Sequence, residues 1–211
     1  MYRLYDFLPS GNGYKIRLLL TQLGIPFERI EVNILQGESR SLEFLAKNPS
    51  GRIPVLEIES SVFLSESNAV LLYLSEGTPF LPTDHLQRTR LYEWLFWEQN
   101  IHEPAIASSR FWIQHLNVAA DRKDELQRRH RLGNEALALM EKHLSTQRFL
   151  VGDCYTIADI ALFAYTHVAD EGGFKLSQFR AIQAWIERIK AQPNHIPITY
   201  SNFQSFPPPT K

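Results

Sequence analysis

Only one cysteine, Cys154, occurs among the 211 residues of the sequence. An intrachain disulfide is therefore impossible, and a reducing compartment, the cytoplasm, is the expected location. No apolar run reaches the roughly 18 residues that a membrane-spanning helix needs. Acidic and basic residues number 23 and 22, and so balanced a chain lacks the electrostatic field of a dedicated nucleic-acid binder. We expect neither a membrane nor a nucleic acid among the partners.

Motifs of several common enzyme classes are also missing. Gly11 and Gly13 are followed by Ile16, where a dinucleotide-binding turn would need a third glycine. There is no Walker-type phosphate loop and no Gly-x-Ser-x-Gly elbow of a serine hydrolase. The seven histidines are scattered and never form His-Glu-x-x-His, so we predict no metal site.

The residues that are present divide the chain into two regions. Residues 1–76 combine short alternating runs with helical spacing in the order β-α-β-α-β-β-α. A parallel βαβ pair followed by a hairpin predicts an α/β, thioredoxin-like N-terminal domain. Residues 77–85 are rich in Gly and Pro and are predicted to be a linker. Residues 86–211 have helical spacing throughout, which predicts an all-α C-terminal domain.

Three local features of the second region are expected. One long helix is predicted from Leu86 to about Asn117, with a kink at Pro104. Thr156 and Asp159 have the spacing of a capping box at the start of a later helix. The tail at 206–211 is rich in proline and is expected to be extended or disordered.

Four segments carry a resemblance to a known family. Residues 8–17 (LPSGNGYKIR) join the first strand to the first helix, and residues 48–56 (NPSGRIPVL) precede the hairpin. Residues 64–70 (LSESNAV) open the last helix of the first region, and residues 152–161 (GDCYTIADIA) contain the capping box. In this order and spacing they resemble the cytosolic glutathione transferases over nearly the whole chain. The first segment is most similar to bacterial members that use Ser or Thr with a nearby Asn, such as the chi class.

The resemblance implies an enzyme that couples the thiolate of glutathione to small hydrophobic electrophiles, a detoxification reaction. It also implies a cytoplasmic homodimer that uses glutathione as a co-substrate and needs no cofactor. A free thiol has a pKa of about 8.5, so only about 3% is thiolate at pH 7. A hydroxyl donor and a helix N-terminus both favour the thiolate and lower that pKa.

Ser10 stands just before the first helix and is the main candidate for this hydroxyl donor. Asn12 is a second candidate, through its side-chain amide. A plain helix cap is the alternative role for each of them. Tyr5 is a rival, because family members with a catalytic Tyr place it close to the end of the first strand.

The resemblance also assigns glutathione-binding residues. Ile53 matches the position whose backbone pairs with the cysteinyl backbone of glutathione, and the following Pro54 is expected to be cis. Ser67, at a helix N-terminus, matches the residue that binds the γ-glutamyl carboxylate, and Glu66 matches the one that binds the amine.

Assignments are weaker at the opposite end of glutathione. Arg52 precedes Ile53 and is a candidate for binding a carboxylate, with a surface arginine as the alternative. Lys47 and Gln36 are further candidates for the glycine end, where the segment around residues 35–39 does not match the family clearly.

The electrophile site is expected in an apolar pocket between the two domains. Leu8 and Gly11 are the candidate wall residues on the first domain, and Arg110 and Trp112 are those on the long helix. Arg110 is also a candidate for stabilising negative charge that develops on the substrate.

Two other functions fit the same resemblance. One is a glutathione-dependent disulfide or peroxide reductase, although Ser10 in place of a cysteine argues against a covalent protein–glutathione intermediate. The other is a non-catalytic binding module with the same fold, which the presence of Ser10, Glu66 and Ser67 argues against.

Overall fold

The computed structural model describes residues 1–116 and 122–203. Contacts between residues divide the chain into two units, one formed by Met1–Glu76 together with residues 193–203, and one formed by Gly77–Gln192. The sequence pattern assigned the segment after Pro193 to the helical domain. The structure instead groups this segment with the first unit, because side chains of the first helix bind its backbone.

The first unit contains a four-stranded mixed sheet in the order β2-β1-β3-β4. Its strands are β1 (Tyr2–Asp6), β2 (Phe27–Glu31), β3 (Val55–Glu59) and β4 (Val62–Leu64). Its helices are α1 (Gly11–Gln22), α2 (Leu42–Lys47) and α3 (Ser67–Ser75), with single 3-10 turns at Ile34–Gln36 and Glu38–Arg40. β1 pairs with β2 in parallel and with β3 in antiparallel orientation. The predicted thioredoxin-like order is confirmed.

Apolar side chains explain how this unit folds around its sheet. A cluster lies beneath the loop that precedes β3, and its buried members are Tyr5, Val32, Phe44 and Val55. The partly buried Ile53 packs against this cluster. α1 packs against α3. β1 and β4 run in the same direction, because each is antiparallel to β3, so α1 and α3, which follow these two strands, begin at the same edge of the sheet.

The second unit is helical, as predicted. Its helices are α4 (His85–Trp97), α5 (Glu103–His115), α6 (Lys123–Leu144), α7 (Ile157–Thr166) and α8 (Arg180–Lys190). Shorter 3-10 turns occur at Ala169–Gly172 and Leu176–Gln178. None of the helices in the described residues has the length and apolarity needed to cross a bilayer.

The structure refines the prediction of one long helix, and the kink at Pro104 stays a prediction. A single π-helical turn, Glu98–His102, separates α4 from α5. Pro104 is the second residue of α5 and has no N–H to donate to the preceding turn, in which the Glu103 N–H bonds the Glu98 carbonyl in the π-helical pattern. The predicted end of this helix at Asn117 and the tail at 206–211 lie outside the described residues.

The capping box at the start of α7 is confirmed, and Asp159 does more than cap. Its fully buried carboxylate accepts hydrogen bonds from the Thr156 N–H at 3.0 Å, the Leu150 N–H at 3.0 Å and the Trp185 indole N–H at 2.9 Å. The carboxylate therefore joins α7, the preceding loop and α8. Burial raises the pKa of Asp159 to about 6.

We predict that Asp159→Ala lowers the free energy of unfolding by about 3–5 kcal/mol, because it leaves three buried donors without an acceptor. Urea denaturation measures this loss. Asp153→Ala is the control, since Asp153 is an exposed aspartate of the same loop and should change the stability by less than about 0.5 kcal/mol. A loss below about 1 kcal/mol in Asp159→Ala would contradict the role assigned to the carboxylate.

Candidate functional site

Ser10 occupies the N-cap of α1, in an extended backbone conformation. Its Oγ accepts a hydrogen bond from the Gly13 N–H at 3.4 Å, and its own N–H donates to the Phe7 carbonyl at 2.7 Å. The hydroxyl of Ser10 donates to no acceptor in the part of the chain that the structure describes. Capping uses a lone pair of the oxygen, so the proton stays available for a ligand. The two roles considered for Ser10 are thus compatible.

The first turn of α1 lies directly on the carboxylate of Asp6, at the end of β1. A Cβ atom placed on Gly13 would lie 1.6 Å from Asp6 Oδ1, so only glycine fits at this position. Asp6 is fully buried and its Oδ2 lies 2.9 Å from the Nε of Arg17. Burial raises the pKa of Asp6 to about 7, although Arg17 acts in the opposite direction.

Asn12 joins α1 to α3. Its Oδ1 accepts a hydrogen bond from the Ser67 hydroxyl at 3.1 Å. The side-chain oxygen therefore points to Ser67, and the amide nitrogen, which is the donor that a thiolate needs, points away from it. The structure thus brings together three residues that the sequence selected separately: Ser10, Asn12 and Ser67.

Lys15 belongs to the same cluster and was missed in the sequence. It is fully buried on α1, and its Nζ lies 3.2 Å from Ser67 Oγ and 3.4 Å from Asn68 Oδ1. Its charge lies beside the N-terminus of α3, and the two together favour an anion. The available signal was its position in the segment at 8–17, but a helical lysine normally indicates a solvated face.

Glu66 has an unusual backbone conformation immediately before α3. Its φ is 65° and its ψ is 108°, and its side chain is exposed. A strained backbone conformation of this kind costs about 1–3 kcal/mol, and such residues cluster at active sites and ligand-binding sites. The Glu66 carbonyl accepts the first helical hydrogen bond of α3, from the Val70 N–H at 3.0 Å.

The Ile53–Pro54 peptide bond is cis, as expected. In the described residues, neither the N–H nor the C=O of Ile53 makes a hydrogen bond. The side chain of Ile53 packs into the cluster that contains Tyr5 and Val55, which fixes the orientation of this backbone. An extended peptide ligand therefore finds an unpaired backbone N–H and C=O at Ile53, just before β3.

The candidates for the glycine end of glutathione differ in their surroundings. Arg52 is exposed, and its carbonyl accepts a hydrogen bond from Asn48 Nδ2 at 2.8 Å. Gln36 is exposed in a 3-10 turn. Lys47 forms an ion pair with Glu43, with 2.9 Å between Nζ and Oε1. A role for Lys47 in binding glutathione stays a prediction.

Tyr5 has a structural role in the sheet. Its hydroxyl donates to Glu57 Oε2 at 3.0 Å, and the Nζ of Lys47 lies 5.3 Å from the centre of its ring. Burial raises the pKa of Tyr5 above its ordinary value. Because its proton is already donated to a carboxylate, Tyr5 is a weaker candidate than Ser10 for donating to a thiolate.

The predicted wall residues of the electrophile pocket lie in different units. Leu8 is half-buried and Gly11 is the first residue of α1 in the first unit. Arg110 lies on α5 in the second unit, where its Nε lies 2.7 Å from Glu171 Oε2. This carboxylate balances part of the guanidinium charge that was expected to act on a substrate. The assignment of all these residues to a pocket stays a prediction.

Trp112, the fourth predicted wall residue, is placed between cationic groups. The guanidinium carbons of Arg129 and Arg122 lie 4.7 Å and 5.3 Å from the centre of its ring. Both contacts are within the range of a cation–π interaction. In the described residues, no three His, Cys, Asp or Glu side chains are grouped in a way that could hold a metal ion.

Both the sequence and the structure of the chain are similar to those of known proteins. Residues 1–76 match the family model of the glutathione S-transferase N-terminal domain, and residues 99–193 match that of the C-terminal domain. A solved glutathione S-transferase from Pseudomonas fluorescens is 49% identical, with a TM-score of 0.91 over 93% of this chain and 98% of that chain.

Two curated proteins with other described roles are also similar. The disulfide-bond oxidoreductase YfcG of Escherichia coli is 31% identical over an alignment that covers 92% of this chain and 92% of that protein. The transcriptional regulator URE2 of Saccharomyces cerevisiae is 29% identical over an alignment that covers 91% of this chain and 66% of that protein.

The backbone at residue 66 generates a prediction that needs no ligand. Glu66→Gly should be more stable than Glu66→Ala by about 1 kcal/mol, because both remove the same carboxylate but only glycine adopts positive φ without strain. Urea denaturation of the two variants measures the difference. Equal stabilities would show that this conformation is not strained.

Proposed function

Because the chain belongs to the glutathione S-transferase family, we propose that it conjugates the glutathione thiolate to small hydrophobic electrophiles. The single observation that carries this proposal is the Ser10 hydroxyl. It lies at the N-terminus of α1, and its proton has no acceptor among the described residues. A hydroxyl donor at a helix N-terminus is the environment that a thiolate needs.

In this proposal the protein binds glutathione through the peptide backbone and the γ-glutamyl end of the ligand. The cysteinyl backbone pairs with the N–H and C=O of Ile53, in the manner of an added strand. The γ-glutamyl carboxylate binds at the N-terminus of α3, where Ser67 and the buried charge of Lys15 favour an anion. Glu66 accepts hydrogen bonds from the amine, and Arg52 binds the carboxylate at the glycine end.

The thiol is then ionised in place. A fall of about 2 units in its pKa, worth about 2.7 kcal/mol, makes it mostly thiolate at pH 7. Ser10 and Asn12 donate hydrogen bonds to the sulfur, and the dipole of α1 favours its negative charge. The proton leaves to solvent. The sulfur then forms a bond to the electrophilic carbon, and the electron pair of the broken bond departs with the leaving group.

The location, oligomeric state and physiological role of the protein are proposed from the family resemblance. The protein acts as a cytoplasmic homodimer in detoxification, with glutathione as its co-substrate and without a cofactor. Its single cysteine supports a reducing compartment. Leu8, Gly11, Arg110 and Trp112 are the proposed walls of the electrophile site. The assignment to the Ser-type, chi-class members stays a prediction.

A second candidate function is glutathione-dependent disulfide reduction, which the similarity to the oxidoreductase YfcG supports. In that reaction two glutathione molecules are oxidised to their disulfide, while the substrate disulfide is reduced to two thiols. Conjugation of an aryl halide and reduction of a small disulfide, measured on the same preparation, distinguish the two activities. Glutathione binding without either activity would favour a regulatory module, as in URE2.

We predict that Ser10→Ala raises the pKa of the bound thiol by about 1 unit or more, because it removes the hydroxyl donor. The ultraviolet absorbance of the thiolate, followed against pH with glutathione bound, measures this shift. Tyr5→Phe is the matched control and should leave the titration unchanged, because the Tyr5 hydroxyl donates to Glu57.

Two outcomes would contradict this account. An unchanged titration in Ser10→Ala would transfer the role to Asn12 or to the backbone N–H groups of α1. Failure of the wild-type protein to bind glutathione would overturn the transferase proposal itself.

A further inference from the structure

Arg17 is a charged residue that the proposed mechanism does not use. It lies on α1 with no exposed side-chain surface, and its Nε is paired with Asp6. The other charged groups near this pair are Arg29, 4.0 Å from Asp6, and Glu31, 2.5 Å from Arg29. Burying a guanidinium costs much free energy unless its N–H groups have ion-pair or hydrogen-bond partners.

One arm of the Arg17 guanidinium binds the loop that carries Ser10. Its Nη2 donates to the Leu8 carbonyl at 2.6 Å and lies 3.5 Å from the Ser10 carbonyl. Glu31 binds the same loop, because its Oε1 accepts a hydrogen bond from the Leu8 N–H at 3.3 Å. Two charged side chains therefore bind the backbone of Leu8, and one of them, Arg17, also approaches the Ser10 carbonyl.

The other arm binds the segment 193–203, which follows the helical unit in the chain. Nη1 donates to the Ile198 carbonyl at 2.8 Å and lies 3.5 Å from the Tyr200 carbonyl. One turn earlier on α1, the Tyr14 hydroxyl donates to the Ile196 carbonyl at 2.6 Å. At its far end, the ring of Phe203 packs on Phe27, with 5.0 Å between the ring centres.

We propose that Arg17 is a positioning residue for Ser10, and that it couples the Ser10 loop to the segment 193–203. The planar guanidinium binds Asp6, the loop and the segment with three different nitrogens, so a shift of one partner moves the others. The lysine ammonium has its three donors on a single nitrogen, so it cannot span the three partners that arginine reaches through three separate nitrogens. This inference rests on the proposed function for its catalytic consequence, but the coupling itself does not depend on glutathione.

Two variants test the coupling. Arg17→Lys keeps a positive charge for Asp6 and removes the bridge, and Tyr14→Phe removes only the hydrogen bond to Ile196. Arg88→Lys is the control, because Arg88 is a half-buried arginine of the second unit that also donates to a carbonyl, that of Pro82 at 2.8 Å. If Arg17 had a purely structural role, both Arg17→Lys and Arg88→Lys would lower the free energy of unfolding, and neither would specifically change hydrogen exchange in the loop that carries Ser10.

The first readout is amide hydrogen exchange in the protein without ligand. We expect exchange at residues 8–13 and 193–203 to rise together, by about tenfold in Arg17→Lys and several-fold in Tyr14→Phe, and to be unchanged there in Arg88→Lys. Faster exchange in the segment alone, with the Ser10 loop unaffected in both variants, would overturn the coupling. If Arg17→Lys does not fold, Tyr14→Phe decides the question by the same criterion.

The second readout is the thiolate titration with bound glutathione. We expect the pKa of the thiol to rise by about 0.5–1 unit in Arg17→Lys, a three- to tenfold fall in the thiolate-to-thiol ratio, with little change in affinity for S-methylglutathione. An unchanged thiol pKa in both variants would overturn the positioning role. If the wild type binds no glutathione, the proposed function fails, and hydrogen exchange still tests the coupling.

Discussion

The buried ion pair between Asp6 and Arg17 is the interaction on which the rest of the site depends. It fixes the first turn of α1 against the end of β1, and Gly13 permits this approach because any Cβ would collide with the carboxylate. A buried ion pair contributes little net stability, because desolvation offsets the attraction. Its value here is geometric, since it holds the N-terminus of a helix, and the serine that caps it, in one position.

The second determinant is the convergence of two helix N-termini. α1 supplies the Ser10 hydroxyl and α3 supplies Ser67, and Asn12 links the two through its side-chain oxygen. Lys15 adds a buried positive charge between them. A site with this distribution of donors suits a ligand that carries both a thiolate and a carboxylate. The proposed ligand, glutathione, has both, and the unpaired backbone of Ile53 suits the peptide between them.

Much of the fold was predictable from the sequence, because alternation, helical spacing and the cap at Thr156 are local signals. The site residues followed from a resemblance rather than from such signals. Lys15 and Arg17 were missed because a basic residue on a helix usually faces solvent, and only the packing of α1 against the rest of its unit shows them buried. The π-helical turn before α5 was missed as well, since Pro104 favoured a kink at its own position.

Calorimetric titration with glutathione at pH 7, in two buffers of different ionisation enthalpy, is the most direct test of the claim that this site binds a thiolate. The account predicts release of about 0.7 proton for each glutathione bound, because a bound thiol with a pKa of about 6.5 is largely ionised whereas the free thiol is not. S-methylglutathione, which has no thiol proton, should bind with no such release. Glutathione binding without proton release beyond that of S-methylglutathione would contradict the account.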